Sequence, residues 1–192
     1  MSQSTLWRIK APLYSAWRRL PVVRRVLQVE MHSLRALLQS LPAIPERHLD
    51  LGTGTGDTLE IFGKNSKRVH LDISTAMLEK VGLSPKMRAY AEHLPFVDRS
   101  FGIVSAIGLS EYLENLELML DEVARVLEPS GYFLLTSSPT TMANHLRRAL
   151  GHRLFLRSND NVRDKFQQSG WIIIAESHSW LQAQWLLQKG HL

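Results

Sequence analysis

Residues 48–57 read His48-Leu49-Asp50-Leu51-Gly52-Thr53-Gly54-Thr55-Gly56-Asp57, and this stretch constrains the chain more than any other. An acidic residue followed by three alternating glycines suits a strand that turns sharply around a nucleotide-like ligand. Glycine tolerates unusual dihedrals there and lets the backbone approach without a Cβ in the way. The spacing narrows the ligand. A dinucleotide fingerprint has glycines at G-x-G-x-x-G, the third allowing close helix–strand packing while the helix N-terminus receives the pyrophosphate. Counted from Gly52 that third position is Asp57, and from Gly54 it is Leu59. Neither is glycine, and a carboxylate at a helix N-terminus repels the phosphate that the helix dipole attracts. No Gly-Lys-Ser/Thr follows either, which excludes a Walker A loop. What remains is a ligand with a ribose, an adenine and a positively charged part, but no phosphate.

Apolar spacing and helix breakers divide the rest of the chain. Leu13, Trp17 and Leu20, then Val23, Val26, Leu27, Met31, Leu34 and Leu38, recur at helical spacing with Glu30 in the same register. Pro21 separates two helices expected within residues 13–39. Pro42 and Pro45 end that pattern before a strand expected near 47–51. Further strands are expected near 67–72, 87–90, 101–107, 131–137 and 171–178, and helices near 57–63, 75–81, 115–127, 141–149 and 159–168, with Gly56 opening the first of these. Such alternation implies a parallel sheet covered on both faces. Asp72 falls 22 residues after Asp50, where an acid ending the second strand holds ribose hydroxyls.

Four segments, Leu49 to Gly56, His70 to Ser74, Ala91 to Phe96 and Leu120 to Gly131, occur in the order found in class I S-adenosylmethionine-dependent methyltransferases. Across residues 45–180 the chain resembles that family, especially the small-molecule branch that includes ubiquinone and menaquinone biosynthesis enzymes. The resemblance implies a Rossmann-like, doubly wound α/β fold: a mostly parallel seven-stranded sheet with helices on both faces and an N-terminal helical extension. It implies S-adenosylmethionine as cofactor and S-adenosylhomocysteine as product. It assigns cofactor contacts to Asp50, Gly52, Thr53, Gly54 and Gly56 in the first segment, and to Asp72, Ile73 and Met77 in and after the second. Ala91 and Glu92 follow in the third, and Gly108 and Leu109 after the fourth strand. Asp50 either orients the loop or approaches the methionine amino group. Asp72 accepts from both ribose hydroxyls, and Met77 packs against adenine or simply between helix and sheet.

The chain departs from the family pattern at several positions. Tyr90 stands where relatives commonly carry the acid that accepts from the adenine amino group, and Tyr112 where many carry histidine. Gly102 replaces a frequent aspartate, and Ser130 a glycine in the turn after Pro129. Methyl transfer from a sulfonium asks the protein mainly to align a nucleophile and exclude water. A base is needed only for an acceptor whose proton must leave; Tyr112, His145 and His152 are the catalytic candidates, each with packing or solvent exposure as the plain alternative.

At 192 residues and 44% hydrophobic, the chain suits one domain with a sizeable core, with residues 1–44 as a basic helical extension or lid and 45–192 as the cofactor-binding core. It has no cysteine, which excludes disulfides, thiolate zinc sites and cysteine nucleophiles, and no metal is expected. No apolar run approaches the roughly 20 residues of a membrane span, and the N-terminus lacks a signal-peptide core, so a cytoplasmic protein is expected. Net charge is +6 over residues 1–40, −5 over 41–139 and +4 over 140–192. Trp7, Tyr14 and Trp17 among the basic N-terminal residues leave three readings open: a lid, an amphipathic anchor peripheral to an anionic membrane, or a contact with RNA. The segment Arg147 to Arg157 adds a second basic, apolar patch on the expected acceptor side, suited to an anionic small molecule. A small-molecule acceptor, lipophilic or anionic, therefore leads. Nucleic acid is less favoured, since no Asn-Pro-Pro-Tyr-type motif follows the fourth strand, and a noncatalytic cofactor-binding or regulatory protein is the third reading.

Overall fold

The computed structural model describes residues 21–63, 67–149, 153–179 and 181–190. The helix expected before Pro21, the aromatic residues Trp7, Tyr14 and Trp17, and the candidate base His152 lie outside them.

A seven-stranded sheet organises the described residues. β1 (Arg47–Leu51) lies between β2 (Lys67–Asp72) and β4 (Phe101–Ala106); β3 (Lys86–Arg88) flanks β2 and β5 (Leu127–Ser137) flanks β4, all in parallel. β7 (Ala183–Lys189) runs antiparallel between β5 and the edge strand β6 (Trp171–His178), giving the order β3-β2-β1-β4-β5-β7-β6. The strand order reverses at β1 and β4, and in such a sheet the ligand crevice opens at the carboxyl ends of those strands.

The helices are α1 (Pro21–Gln39), α2 (Thr75–Leu78), α3 (Leu116–Val126), α4 (Met142–Ala149) and α5 (Asn159–Gln168). Successive strand residues face opposite sides of a sheet. On one side Leu49, Leu51 and Val104 pack against Leu120 and Val123 of α3 and Phe166 of α5. On the other, Ile103, Leu134 and Leu186 pack against Leu34 and Leu38 of α1 and against Phe62. Each such side chain contributes about 1.5–3 kcal/mol relative to exposure. Glu30 shares the buried face of α1, where its carboxylate accepts from Ser179 Oγ at 2.5 Å and from Gln184 Nε2 at 2.7 Å. Burial raises its pKa, opposed by those two hydrogen bonds. No described helix is long and apolar enough to cross a membrane.

Several expected elements change shape. Gly52, Gly54 and Gly56 take φ of +63°, +55° and +77°, so the loop stays left-handed through Gly56 and no α-helix opens there. The helix expected over 57–63 is a single 3-10 turn, Leu59–Phe62, because positive φ is incompatible with the right-handed start of a helix. The helix near 75–81 shortens to α2; beyond it the Lys80 and Val81 N–H groups donate three residues back, to Met77 and Leu78, before Gly82. β5 begins at Leu127, directly after α3, with a register shift opposite Phe101 and Ile103. The seventh strand, implied only by the family resemblance, is β7. It is buried from Ala183 to Leu187, so no alternation of polar and apolar residues marked it in the sequence.

Candidate cofactor and acceptor site

A cavity of about 310 Å³ opens at the carboxyl ends of β1, β2 and β4, within the usual range for small-molecule sites. Gly52, Thr53 and Gly54 form one wall; Asp72, Ile73 and Met77 form the next. Tyr90, Ala91 and Glu92 close one end, and Ile107, Gly108 and Leu109 follow β4. At the far end stand Tyr112, Leu113, Glu114, Arg153 and Phe155.

Backbone bonds fix the first wall. Thr53 N–H donates to Leu71 O at 3.1 Å, extending the β1–β2 pairing into the loop. Gly54 N–H donates to Asp72 Oδ2 at 3.0 Å, and Ser74 N–H to Asp72 Oδ1 at 2.8 Å. One bond to each carboxylate oxygen leaves both with acceptor capacity toward the cavity. Burial raises the Asp72 pKa; the Ser74 and Gly54 amides work against it.

Beneath the loop lies a buried polar chain. Asp50 pairs in register with His70 of β2 and with Ser105 of β4, which brings all three to one sheet face. Arg68 Nε donates to His48 Nδ1 at 2.9 Å, so the proton of the neutral ring sits on Nε2, which donates to Ser105 Oγ at 2.8 Å. Ser105 Oγ donates onward to Asp50 Oδ1 at 2.6 Å. His70 Nδ1 stands 3.5 Å from Asp50 Oδ2 and is hydrogen-bonded to Thr53 Oγ1 at 2.9 Å. Burial pushes the His48 pKa down to about 3, with Asp50 opposing and Arg68 and His70 assisting. For Asp50 burial acts upward, but His70, His48 and the Ser105 and Thr53 hydroxyls outweigh it and hold the carboxyl below its ordinary range.

Side chains of α3 fix the third wall. Glu122 Oε2 accepts from Leu94 N–H at 2.6 Å, while Arg125 donates to Phe96 O at 2.7 Å and to Leu94 O at 3.0 Å. Arg125 also donates to both Glu122 oxygens at 2.8 Å. The far end is likewise held by an arginine on main-chain carbonyls. Arg157 donates to the carbonyls of Ser110, Phe155, Leu113 and Glu114 at 3.1, 3.2, 2.6 and 2.8 Å. Phe155 N–H donates to Glu111 O at 2.7 Å, pinning residues 153–157 beside the 3-10 turn Ser110–Tyr112.

Residues 49–135 match the methyltransferase domain family Methyltransf_11. Over those residues the chain carries the sequence pattern of class I S-adenosylmethionine-dependent methyltransferases. Over 101 residues the chain is 39% identical to the ubiquinone/menaquinone biosynthesis C-methyltransferase UbiE of Bartonella quintana, covering 45% of this chain and 38% of that protein. The chain thus matches about two fifths of that relative's length. Over 161 residues it is 29% identical to the demethylmenaquinone methyltransferase of Mycobacterium sp. strain KMS, covering 73% of this chain and 70% of that protein. The structure of magnesium protoporphyrin IX methyltransferase from Synechocystis PCC 6803 with bound S-adenosylhomocysteine superposes with a TM-score of 0.74, covering 98% and 100% of the two chains at 15% identity, a likeness of fold.

Against the methyltransferase pattern, the cavity brings together Gly52, Thr53, Gly54, Asp72, Ile73 and Met77. Ala91, Glu92, Gly108 and Leu109 complete the expected cofactor contacts that line it. Asp50 and Gly56 are not on its wall. Asp50 is only 2% exposed and sits under the loop, the orienting role of the two expected for it. Tyr112 lines the cavity, whereas His145 is on the exposed side of α4 and is not among the lining residues. Tyr90 is 57% exposed at the cavity edge; its carbonyl accepts from His93 N–H at 3.2 Å, a tight turn that presents Ala91 and Glu92. At Gly102 a Cβ would stand 2.5 Å from Pro45 Cβ, so this departure from the family aspartate follows from packing against Pro45. Sequence reasoning did not single out Glu114, Arg153 or Phe155 individually. The available signal was the triplet Arg153-Leu154-Phe155, in which the middle residue is buried and its neighbours line the cavity.

Proposed function

We propose that this protein transfers a methyl group from S-adenosylmethionine to a small lipophilic acceptor. The observation that supports this reading is one continuous cavity from the Asp72 wall to the Tyr112–Phe155 end, with room for a cofactor and an acceptor side by side. The cofactor supplies a methyl group already activated on a sulfonium. The residues present fit it: Asp72 has spare acceptor capacity for ribose hydroxyls, Met77 and Ala91 offer apolar surface for the adenine, and the glycine loop approaches without side chains. Asp50 holds the loop from below through His70 and Thr53. Leu113 and Phe155 exclude water at the acceptor end, where the Tyr112 hydroxyl can hydrogen-bond a phenolic acceptor and the Glu114 carboxylate is a group able to accept its proton.

The names of the quinone-pathway relatives support a quinone-like acceptor. Such an acceptor resides in lipid, so the same proposal includes peripheral membrane contact through the basic segment 1–44, to which α1 contributes the exposed Arg24 and Arg25. Calorimetric titration with S-adenosylmethionine and S-adenosylhomocysteine, with NAD as control, tests the cofactor. Micromolar binding of both sulfur nucleosides and none of NAD is expected, followed by methylation of quinone-like phenols. Binding of neither nucleoside overturns the reading.

A further inference from the structure

Four arginines lie between residues 147 and 157: Arg148 is exposed on α4, and Arg147 and Arg157 are committed to holding the chain. Arg147 donates to Asn144 Oδ1 at 2.8 Å and to Ser138 Oγ at 3.3 Å, and stands 3.7 Å from the buried Glu111 carboxylate. Arg157 spends both of its terminal NH2 groups on the four carbonyls of Ser110, Leu113, Glu114 and Phe155. Arg153 is different. It lines the cavity and makes no hydrogen bond or ion pair with any described residue.

Its direction is set by its neighbours. The Phe155 N–H bond to Glu111 O holds this stretch extended beside the 3-10 turn, and Leu154 is buried at 5% exposure. Alternate residues of an extended chain share a side. Arg153 and Phe155 therefore face the cavity together, beside Tyr112, while Leu154 between them is buried.

We propose that Arg153 is the anion-recognition group of the acceptor pocket, and that the acceptor carries a carboxylate or a comparably charged acidic group on a flat apolar body. The guanidinium offers a planar, always charged fork that pairs with a carboxylate through two parallel hydrogen bonds. Phe155 and Tyr112 supply the surfaces between which a ring system lies. Of the lining acids, Asp72 and Glu92 belong to the cofactor region, and Glu114 is the acid at the acceptor end. Glu114 opposes any anion not held by Arg153, so the pair also selects where on the acceptor the charge is placed. This inference rests on the small-molecule methyltransferase reading and narrows its acceptor class.

The test is calorimetric titration of the full chain, with and without saturating S-adenosylhomocysteine, using three isosteric probes: 2-naphthoate, 2-naphthamide and 2-naphthylmethylammonium. Naphthoate is expected to bind about tenfold or more tighter than the amide, the difference carried by a charge-assisted pair. Arg153→Gln should erase that preference, Arg153→Lys should restore part of it, and neither should change affinity for S-adenosylhomocysteine. Equal binding of naphthoate and naphthamide, or no naphthoate binding at millimolar concentration, overturns the proposal. Preference for the ammonium overturns it in favour of Glu114. Loss of S-adenosylhomocysteine affinity in Arg153→Gln overturns it by assigning the guanidinium to the cofactor's own carboxylate. Failure of the wild-type chain to bind S-adenosylhomocysteine is a separate result, which counts against the methyltransferase reading while the titrations without it still decide the anion preference.

Discussion

The glycine-loop wall of the cavity is held by main chain and by polar side chains buried in the sheet, whereas the far end is held by one long arginine, Arg157, that reaches across to carbonyl groups, as Arg125 does beside the Ala91 turn. At the first, the bonds from Thr53 N–H to Leu71 O and from Gly54 N–H to Asp72 continue the sheet, and the His48, Ser105, Asp50 and His70 chain underneath is sealed from solvent. At the second, Arg157 alone ties four carbonyls from two segments. The first design leaves the geometry no freedom without disturbing the sheet. The second concentrates it in one or two side chains, so the acceptor pocket can change shape while the cofactor wall stays.

The largest effect should come from the cofactor side. Gly54 has φ +55°, and a Cβ built there meets only Gly52 O, at 3.9 Å, so a side chain would grow into open cavity. Gly54→Val is expected to abolish S-adenosylhomocysteine binding in calorimetry. The left-handed strain of about 1–2 kcal/mol should lower the melting temperature by only about 2–8 °C. Arg157→Met should do the reverse. With four carbonyls losing their donor, we expect about 2–4 kcal/mol of destabilisation in urea melts and loss of acceptor binding, with cofactor affinity largely kept. Equal losses at both ends would break the contrast.

Smaller effects sharpen it. Asp72→Ala should weaken S-adenosylhomocysteine roughly ten- to hundredfold, a net loss of about 1.5–3 kcal/mol; unchanged affinity would remove its ribose role. The buried chain should also show in the pH dependence of stability. His48 stays neutral in the fold down to about pH 3, whereas the unfolded residue takes up a proton near its ordinary value of 6.5. Its contribution is fully present above 6.5 and is lost as pH falls from 6.5 toward 3, by about 1.4 kcal/mol per pH unit. Urea melts across this window should therefore be flatter for His48→Gln than for wild type, and parallel curves would count against the assignment. His145→Ala, altering an exposed side chain outside the cavity lining, should leave cofactor and acceptor titrations within error of wild type.

The contrast between the two ends also explains what could be read in advance. The turn at Gly52 and Gly54, with Asp50 and Asp72 beside it, was legible because such a turn is local: its strand, glycines and following acid lie within a short stretch, and its backbone conformation needs particular residues. The same pattern misled at Gly56, where a third left-handed residue prolongs the turn and leaves only the 3-10 turn Leu59–Phe62. The segment from Arg147 to Arg157 stood out as basic and apolar, yet its four arginines gave no sign that Arg147 would bind side chains, Arg157 backbone carbonyls, and Arg153 would face the cavity. That division depends on Glu111 and on the carbonyls of Ser110, Leu113 and Glu114, all distant in sequence.

By itself the sequence determined the alternation of strands and helices, the glycine turn and the positions of its two acids, since each follows from local dihedral preference and the spacing of apolar residues. Only the tertiary structure decided three further things. It inserted β7 antiparallel between β5 and β6, because a strand buried on both faces carries no polar alternation. It withdrew Asp50 from the cavity into a chain with His48, His70 and Ser105, because strand register, which is a relation between distant segments, put them side by side. And it left Arg153 facing the acceptor end while its two neighbours were consumed in holding the wall, because a long charged side chain goes wherever the assembled fold leaves acceptors for it.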